Sequence, residues 1–282
     1  MPIDSIQRDG VLCDVLLFNQ IWRYALMKFK PQLIFVALAI CVGMPFAHAV
    51  DVASAIEMVS IPAGCFRMGS EGYEKHERPV HEVCVDGFAI GKYEITQGQW
   101  KAVMGGENAA LFSSCGDKCP VDQVSWNQAQ EFIRKLNAEN KGVFRLPTEA
   151  EWEYACRSGG KDETWPGGVS AEYVYDIAWF DKEAAGEQTH PVGTKKPNGL
   201  GVHDMAGNVW EWVQDKFVTP YPTNVTKNPR IESGGEEKRV MRGGSWEQKT
   251  SYVRCGIRNR YAPRYVDARG RVGMRVVREL TR

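Results

Sequence analysis

The sequence lacks the charge excess and the metal-binding spacings that mark several common classes of protein. Its 282 residues carry 35 basic and 35 acidic side chains, so the formal net charge is zero. Because nucleic-acid binding depends strongly on basic surfaces, we expect no nucleic-acid partner. There is no C-x-x-C pair, and the histidines after Val50 are scattered, which argues against a zinc site.

Long apolar runs are also missing, apart from one near the N-terminus. Leu33 to Ala47 is apolar but short for a membrane-spanning helix. Two lysines precede it, and Ala47-His48-Ala49 has the small-x-small form of a signal-peptidase site, which predicts a mature start near Val50. The residues before Met27 do not fit such a signal, so we expect translation to begin at Met27. An uncleaved anchor is the alternative.

No internal repeat and no linker divides the rest of the chain. We therefore predict an extension with a signal peptide over residues 1–49 and one compact domain over residues 50–282. The 28 glycines, 14 prolines and 9 tryptophans indicate an irregular fold rich in turns and aromatic side chains. We expect a periplasmic or secreted monomer with no transmembrane segment after cleavage.

The cysteines support export to an oxidising compartment. Setting aside Cys13 and Cys41 leaves six of the eight, an even number, as a disulfide framework prefers. Two of the six lie four positions apart in CGDKC and can close one loop, and two others flank a charged loop in strand-like runs. The first pair is Cys115 with Cys119, and the second is Cys65 with Cys84. Cys156 and Cys255 remain.

Local patterns predict a mixture of short strands and helices. Met58 to Met68 and Val80 to Phe88 read as a hairpin, and three later strands are expected. The later strands are Val240 to Trp246, Val253 to Arg260 and Val272 to Arg278. Three helices are marked by N-capping residues at Thr96, Ser125 and Thr148, the last in a capping box with Glu151.

The segment Asn198 to Asp215 combines glycines, two tryptophans and two carboxylates in a span without helical or strand periodicity. Carboxylate oxygens beside the carbonyls of a tight turn are ligands that calcium prefers. The residues alone favour a turn-rich core segment, with a cation site as the second interpretation.

Arginines near the C-terminal end of the sequence and glutamates that precede them in the chain form a second pattern. Their pairing inside the fold would hold irregular loops together, and a groove for an anionic or peptide substrate is the other interpretation. The residues are Arg242, Arg254, Arg258, Arg260 and Arg275 with Glu94, Glu149, Glu151, Glu153 and Glu211.

Taken together, the motifs resemble the sulfatase-modifying factor family, whose active members are formylglycine-generating enzymes. The resemblance covers about Met58 to Glu279. The matching segments, in order, are MVSIPAGCFRMGS, YEITQGQW, PVDQVSWNQAQEF, FRLPTEAEWEYACR, THPVGTKKPNGLGVHDMAGNVWEW, MRGGSW, RCGIRNRY and GMRVVRE.

The resemblance implies a fold and a calcium site. The fold is a single irregular α+β domain with a C-type-lectin-like topology and little regular secondary structure. Calcium would bind the side chains of Asp204 and Glu211 and the backbone carbonyls of Gly207 and Val209. A second calcium site of the family is left open, because the match is poor there. The resemblance also implies a disulfide between Cys156 and Cys255.

One departure from the family bears on activity. Formylglycine-generating enzymes bind copper(I) through two cysteines just after the GGS turn, and soft thiolates suit that ion. Here the two positions hold Gln248 and Val253, so we expect neither copper binding nor cysteine oxidation by that chemistry.

Two functions from different classes follow from this departure. One is an exported oxidoreductase-family enzyme with altered chemistry, and the other is a non-catalytic lectin-like module that binds an envelope peptide or glycan. Candidate catalytic residues near the turn are Ser245, Trp246, Gln248, Tyr252 and Arg258, with Glu247 and Arg242 as further acid/base candidates.

Overall fold

Two regions of the computed structural model are described, residues 55–139 and residues 143–280. The predicted signal peptide, the start at Met27 and the cleavage site lie outside the described residues. Residues Val50–Arg282 form one compact unit. Within the described ranges, no helix is both long and apolar enough to cross a membrane.

Three small sheets make up the β structure. The first is antiparallel and has the order β1 (Met58–Ile61), β4 (Phe88–Gly91), β10 (Val277–Arg278), β5 (Phe144–Arg145). The second is the inner part of the predicted hairpin, β2 (Gly64–Met68) with β3 (His81–Val85), which places Cys65 opposite Cys84. The outer ends of the predicted hairpin, Met58–Ile61 and Phe88, belong instead to the first sheet. The third has the order β8 (Asn259–Tyr261), β7 (Arg239–Arg242), β6 (Trp210–Lys216), β9 (Val272–Met274).

The three predicted helices begin where the capping residues predict, and the structure adds one turn of helix that was not predicted. They are α1 (Gln97–Met104), α2 (Trp126–Glu139), α3 (Glu149–Cys156) and the single turn α4 (Val174–Ile177). Thr96 and Thr148 each form a capping box with the residue three positions later, and Ser125 Oγ accepts a hydrogen bond from Gln128 N. These side chains satisfy amide donors that have no partner within the first helical turn.

The core holds the apolar face of α2 and the tryptophans of the longest strand. Ala129, Phe132 and Leu136 are fully buried in one cluster with Trp212. Trp152 and Cys156, one turn apart on α3, belong to a second cluster that also contains Cys255. Helix α3 therefore joins the two halves of the sequence through its buried face.

The three disulfides confirm the pairing of the six cysteines. They join Cys65 to Cys84, Cys115 to Cys119 and Cys156 to Cys255.

Three strand predictions need correction. Val253 to Arg260 is mostly turn, because its backbone bends to bring Cys255 to α3, and only its last two residues join β8. Val272 to Arg278 splits into β9 and β10, which belong to different sheets. The segment Asn198 to Asp215, predicted to be turn-rich, ends in strand β6 (Trp210–Lys216), one of the two inner strands of the third sheet.

Candidate functional site

The GGSW turn is shaped by two glycines in the left-handed region. Gly243 and Gly244 have φ values of +92° and +79°. A Cβ at Gly244 would collide with the backbone of Tyr252, so only glycine allows the segment after the turn to fold back on it. The turn thus places the short 3-10 segment Thr250–Tyr252 against Gly244, at the start of the same loop.

A cavity of about 260 Å³ opens beside this turn. We call it the Gln248 cavity. The 3-10 segment, strand β8 and the loop before β3 all contribute to its wall. The lining residues are Glu74, His76, Trp210, Gln248, Tyr252, Ile257, Arg258, Asn259 and Arg260.

Three of the five catalytic candidates meet at this cavity. Gln248, Tyr252 and Arg258 line it, and Tyr252 is 44% exposed. Ser245 and Trp246 are instead buried under the turn, and the indole N–H of Trp246 donates to the Gly270 carbonyl. Ser245 Oγ makes no hydrogen bond within the described ranges. These two side chains therefore shape the turn and do not reach the cavity.

The remaining lining residues include side chains that the motifs did not single out. His76 and Glu74 lie in a polar loop whose sequence carries no recognisable functional signal. His76 Nε2 lies 3.0 Å from the Arg258 carbonyl, where its N–H can donate. Trp210 belongs to the GNVWEW motif, so its bulk could have suggested a cavity wall.

The two positions that correspond to the copper-binding cysteines have different environments. Gln248 lies at the cavity, and Val253 is fully buried in an apolar cluster with Phe180 and Trp165. Every cysteine in the described part of the chain is in a disulfide, including Cys255. The described residues therefore offer no thiolate at this site.

A buried ionic network lies behind the cavity. Arg258 donates to both carboxylate oxygens of Glu149, at 2.6 and 2.9 Å, and Arg242 donates to Glu149 and Glu153. Arg157 adds a further bond to Glu153, at 2.9 Å. Because the Arg258 guanidinium also donates to two backbone carbonyls, its charge supports the wall of the cavity and is not free for a ligand.

The predicted pairing of late arginines with Glu149, Glu153 or Glu211 is confirmed for three of the five, Arg242, Arg258 and Arg275. Arg275 pairs with Glu211, while Arg254 pairs with Glu77 and Arg260 approaches Glu236, two partners that the sequence did not suggest.

Asp215 is a buried carboxyl at the edge of this network. Its two oxygens accept hydrogen bonds from the amides of Glu149 and Ile231, each at 2.8 Å, which ties the loop after β6 to the first turn of α3. Burial and, to a smaller extent, the nearby charge of Glu149 raise the pKa of Asp215 to about 7.

This raised pKa predicts that stability falls as the pH rises. Asp215 binds a proton in the folded state below about pH 7, whereas in the unfolded chain it ionises near pH 4. The contribution of Asp215 to the free energy of unfolding is therefore complete below about pH 4 and is lost as the pH rises through about 7. The free energy of unfolding falls over this interval by at most about 1.4 kcal/mol per pH unit. In Asp215→Asn, we expect urea unfolding at several pH values to show a smaller slope over this interval. An unchanged slope would contradict the prediction.

Three of the predicted calcium ligands, Asp204, Gly207 and Val209, lie on the turn that leads into β6, and Glu211 is the second residue of that strand. Gly207 has a φ of +75°, and a Cβ there would collide with the Trp179 backbone. Asp204 Oδ2 accepts a hydrogen bond from Gly193 N at 2.7 Å, while Asp204 Oδ1 is buried without a partner in the described residues. Glu211 accepts two bonds from Arg275, both at 2.8 Å, and one from Trp152 Nε1.

The charges around this turn are unbalanced. Glu94, Asp204 and Glu211 are all buried, and Arg275 is the cation that acts on each of them. Burial and the neighbouring carboxylates raise the pKa of Glu94, and burial raises the pKa of Asp204 to about 6. A divalent cation at Asp204 Oδ1 would offset this excess of negative charge, so that carboxylate fits calcium. Both Glu211 oxygens already accept hydrogen bonds from Arg275, and calcium would share this carboxylate with that pair.

No group of three His, Cys, Asp or Glu side chains in residues 55–139 and 143–280 is arranged to hold a metal ion. The predicted calcium site has only two such side chains, those of Asp204 and Glu211, and backbone carbonyls supply its other ligands. The site therefore stays a prediction.

The short strands, long ordered loops and single α+β unit define a C-type-lectin-like fold of the formylglycine-generating-enzyme type. The chain belongs to the sulfatase-modifying factor family: residues 46–280 match the model of the sulfatase-modifying factor enzyme 1-like domain.

Similar proteins include an enzyme and a chaperone. The chain is 28% identical to the formylglycine-generating enzyme of Mus musculus over 275 residues, covering 73% of this chain and 71% of that protein. It is also 28% identical to the chaperone protein LppX of Paenibacillus barcinonensis over 276 residues, covering 79% and 89% of the two chains.

Two solved structures share the fold. One is the Treponema denticola variable protein 1, with a TM-score of 0.71 and 29% identity, covering 79% of this chain and 95% of that chain. The other is PvdO from Pseudomonas aeruginosa, with a TM-score of 0.69 and 28% identity, covering 79% and 94%.

Proposed function

We propose that this protein is an exported family member that binds a peptide segment in the Gln248 cavity and does not carry out copper-dependent cysteine oxidation. The observation that carries the proposal is the chemistry of the two cysteine positions. An amide at Gln248 and a buried isopropyl group at Val253 replace the soft ligands that copper(I) requires. The cavity beside the turn is open to a ligand.

The cavity wall suits binding better than acid/base chemistry. Arg258 is saturated by its protein partners, while Tyr252 offers an exposed aromatic ring and Gln248 an amide. Aromatic and amide side chains supply contact area and adaptable hydrogen bonds in binding surfaces. The relative named a chaperone is consistent with a peptide ligand.

An enzyme with altered chemistry is the second candidate. It is favoured by one observation, that the imidazole of His76 and the phenol of Tyr252 line the same cavity. Both groups can transfer protons when their geometry suits a substrate.

Binding in the cavity can be tested with an unfolded polypeptide. Reduced and carboxymethylated lactalbumin, labelled for fluorescence anisotropy, is the probe. We expect binding by the wild-type chain and a roughly tenfold loss in Tyr252→Ala, because exposed tyrosines often dominate binding energy. Tyr175→Ala removes another tyrosine, 52% exposed and outside the cavity lining, and serves as the control.

Equal binding by wild type and Tyr252→Ala, or no binding at all, would contradict this role. A glycan that competes for the cavity in place of the polypeptide would also contradict it.

Export fits the three disulfides, because such bonds persist in oxidising compartments. We infer a periplasmic or secreted location and a monomeric state.

Calcium is proposed as a structural ion at Asp204, Gly207, Val209 and Glu211. A ligand that binds only the folded state stabilises it by about 2.7 kcal/mol at a hundredfold excess over the Kd, which corresponds to about 5–10 °C in Tm. We expect this shift by calorimetry in wild type. We also expect its loss in Asp204→Ala and Glu211→Ala and its retention in Asp176→Ala, whose carboxylate is exposed. If both site variants show the same Tm shift as wild type, calcium does not bind at this turn.

A further inference from the structure

The hairpin β2–β3 has one edge that is closed by the rest of the chain. Residues 226–228 run beside β3, where Cys84 N donates to the Thr226 carbonyl and Asn228 N donates to the Cys84 carbonyl. These bonds occupy the outer side of β3. The other edge of this two-stranded sheet belongs to β2, which pairs with β3 alone.

The register of the hairpin shows which backbone groups of β2 point away from β3. Because both backbone groups of Cys84 are bonded on its outer side, the residue opposite, Cys65, is in a non-hydrogen-bonded pair. Such pairs alternate along antiparallel strands, so the pair of Arg67 with Glu82 is of the same kind. The N–H and C=O groups of Cys65 and Arg67 therefore point outward, and none of these four groups has a partner in the described part of the chain.

This open edge of β2 is accessible. Cys65 and Arg67 are both exposed, and both line a cavity of about 570 Å³ that also borders Gly160, Lys161 and Asp162. Buried backbone groups without a partner are rare in proteins, so the exposure of the two residues is consistent with four groups that water satisfies. An incoming strand can replace that water.

The strand is already ordered for such a partner. Five consecutive residue pairs join β2 to β3 without a bulge, and the disulfide between Cys65 and Cys84 lies within this register. Phe66 and Met68, on the opposite face, are buried in the core. Because the edge does not have to be ordered on binding, the entropic cost of adding a strand is reduced.

Six charged side chains line the cavity, and two of them are held by neighbouring groups. Arg157 donates to Glu153 and to two backbone carbonyls, and Glu71 accepts a hydrogen bond from Val80 N. The other four make no ion pair within the described ranges. They are Arg67, Glu82, Lys161 and Asp162.

Arg67 is the one of these four that lies on the open edge itself. A residue paired with it would place its side chain beside the guanidinium, where an opposite charge stabilises the pair and a like charge destabilises it. A second copy of β2 would bring a second arginine to the shared edge and no carboxylate, since the strand reads GCFRM. The charge of this edge therefore favours an acidic strand from another protein over self-association.

We propose that the open edge of β2 binds an extended strand of a partner protein that carries a carboxylate opposite Arg67. The added strand would extend the hairpin to three strands through hydrogen bonds to the backbone of Cys65 and Arg67. This site is separate from the Gln248 cavity, because the residues that line the two cavities do not overlap.

The charge preference is tested on the full chain with two synthetic probes. They are fluorescent heptapeptides in which valine alternates with glutamate or with lysine. By anisotropy, we expect the glutamate peptide to bind about fivefold more tightly, and Arg67→Glu to reverse this preference. Tyr252→Ala, which changes the Gln248 cavity, should bind both peptides as wild type does.

The backbone contact is tested separately from the charge. Arg67→Pro removes an outward N–H group and no bond to β3, a change that an edge strand tolerates. We expect it to weaken binding of the glutamate peptide about tenfold more than Arg67→Ala, which removes the charge and keeps the N–H group. In an antiparallel pair the glutamate N–H groups face the edge, so N-methylation of the glutamates should abolish binding and N-methylation of the valines should not.

Amide hydrogen exchange followed by NMR locates the contact. The amides of Cys65 and Arg67 should exchange rapidly in the free protein and at least tenfold more slowly with saturating glutamate peptide. Unchanged exchange, equal affinity for the two peptides, or no binding of either would overturn the proposal. It would also be overturned by a loss of binding in Tyr252→Ala but not in Arg67→Pro, or by a wild-type dimer that Arg67→Pro dissociates.

Discussion

Arg242→Met is expected to lower the free energy of unfolding by about 3–5 kcal/mol, because it leaves buried carboxylates without their partner. The Arg242 side chain is fully buried and donates to Glu149, Glu153 and the carbonyls of Cys255 and Gly256. Methionine fills most of the volume but satisfies none of these acceptors, and the remaining arginines, Arg157 and Arg258, cannot reach all of them.

Urea unfolding of the two proteins measures this loss. Arg134→Met is the matched control, since Arg134 forms an exposed pair with Glu131 on the surface of α2 and should cost less than about 0.5 kcal/mol. A loss below about 1 kcal/mol in Arg242→Met would show that the network does not hold the loops together.

Removal of the Cys156–Cys255 disulfide by a double substitution to alanine is expected to cost about 4–5 kcal/mol. The two cysteines are separated by 99 residues, so the bond removes much chain entropy from the unfolded state. It also ties the end of α3 to the segment between Tyr252 and Ile257, two residues that line the Gln248 cavity. Unfolding in urea under non-reducing conditions measures the effect.

The disulfide between Cys115 and Cys119 provides the comparison. Its separation of 4 residues predicts a cost of only about 2 kcal/mol for the corresponding double substitution. Equal losses in the two double variants would contradict an origin in loop entropy. Free thiols at Cys156 and Cys255, seen by non-reducing mass spectrometry, would refute the pairing itself.

The parts of the fold with local signals could be predicted from the sequence. The capping residues Thr96, Ser125 and Thr148 predicted the starts of three helices, because a cap and the amides that it binds lie within one turn of each other. The strand-like runs on either side of a charged loop likewise predicted that Cys65 pairs with Cys84, and the two lie opposite each other in the hairpin. These features depend on neighbours in sequence, so a short window contains them.

The features that the sequence did not predict depend on pairing between residues that are far apart in the chain. Strand β6 pairs with β7 and with β9, which lie about 30 and 60 residues away, and its mixture of tryptophans and carboxylates shows no period of two. Both faces of β6 are buried, so the usual polar alternation is absent. The basic segment before β8 looked like a strand but bends so that Cys255 and Arg254 can meet their partners.

The candidate site was only partly visible for the same reason. The GGSW turn and Gln248, Tyr252 and Arg258 could be located from motifs. His76 and Glu74 could not, because the loop Ser70–Glu77 reaches the cavity through the Glu77–Arg254 pair, which spans 177 positions of the chain.

The measurement that tests the central claim most directly is product analysis with a cysteine-containing sulfatase-type peptide. The wild-type chain is loaded with copper(I), incubated with the peptide in air, and the peptide is examined by mass spectrometry. With Gln248 and Val253 in the two ligand positions, we expect no formylglycine above the level of a protein-free control. Turnover of the peptide by the wild-type chain would contradict the account.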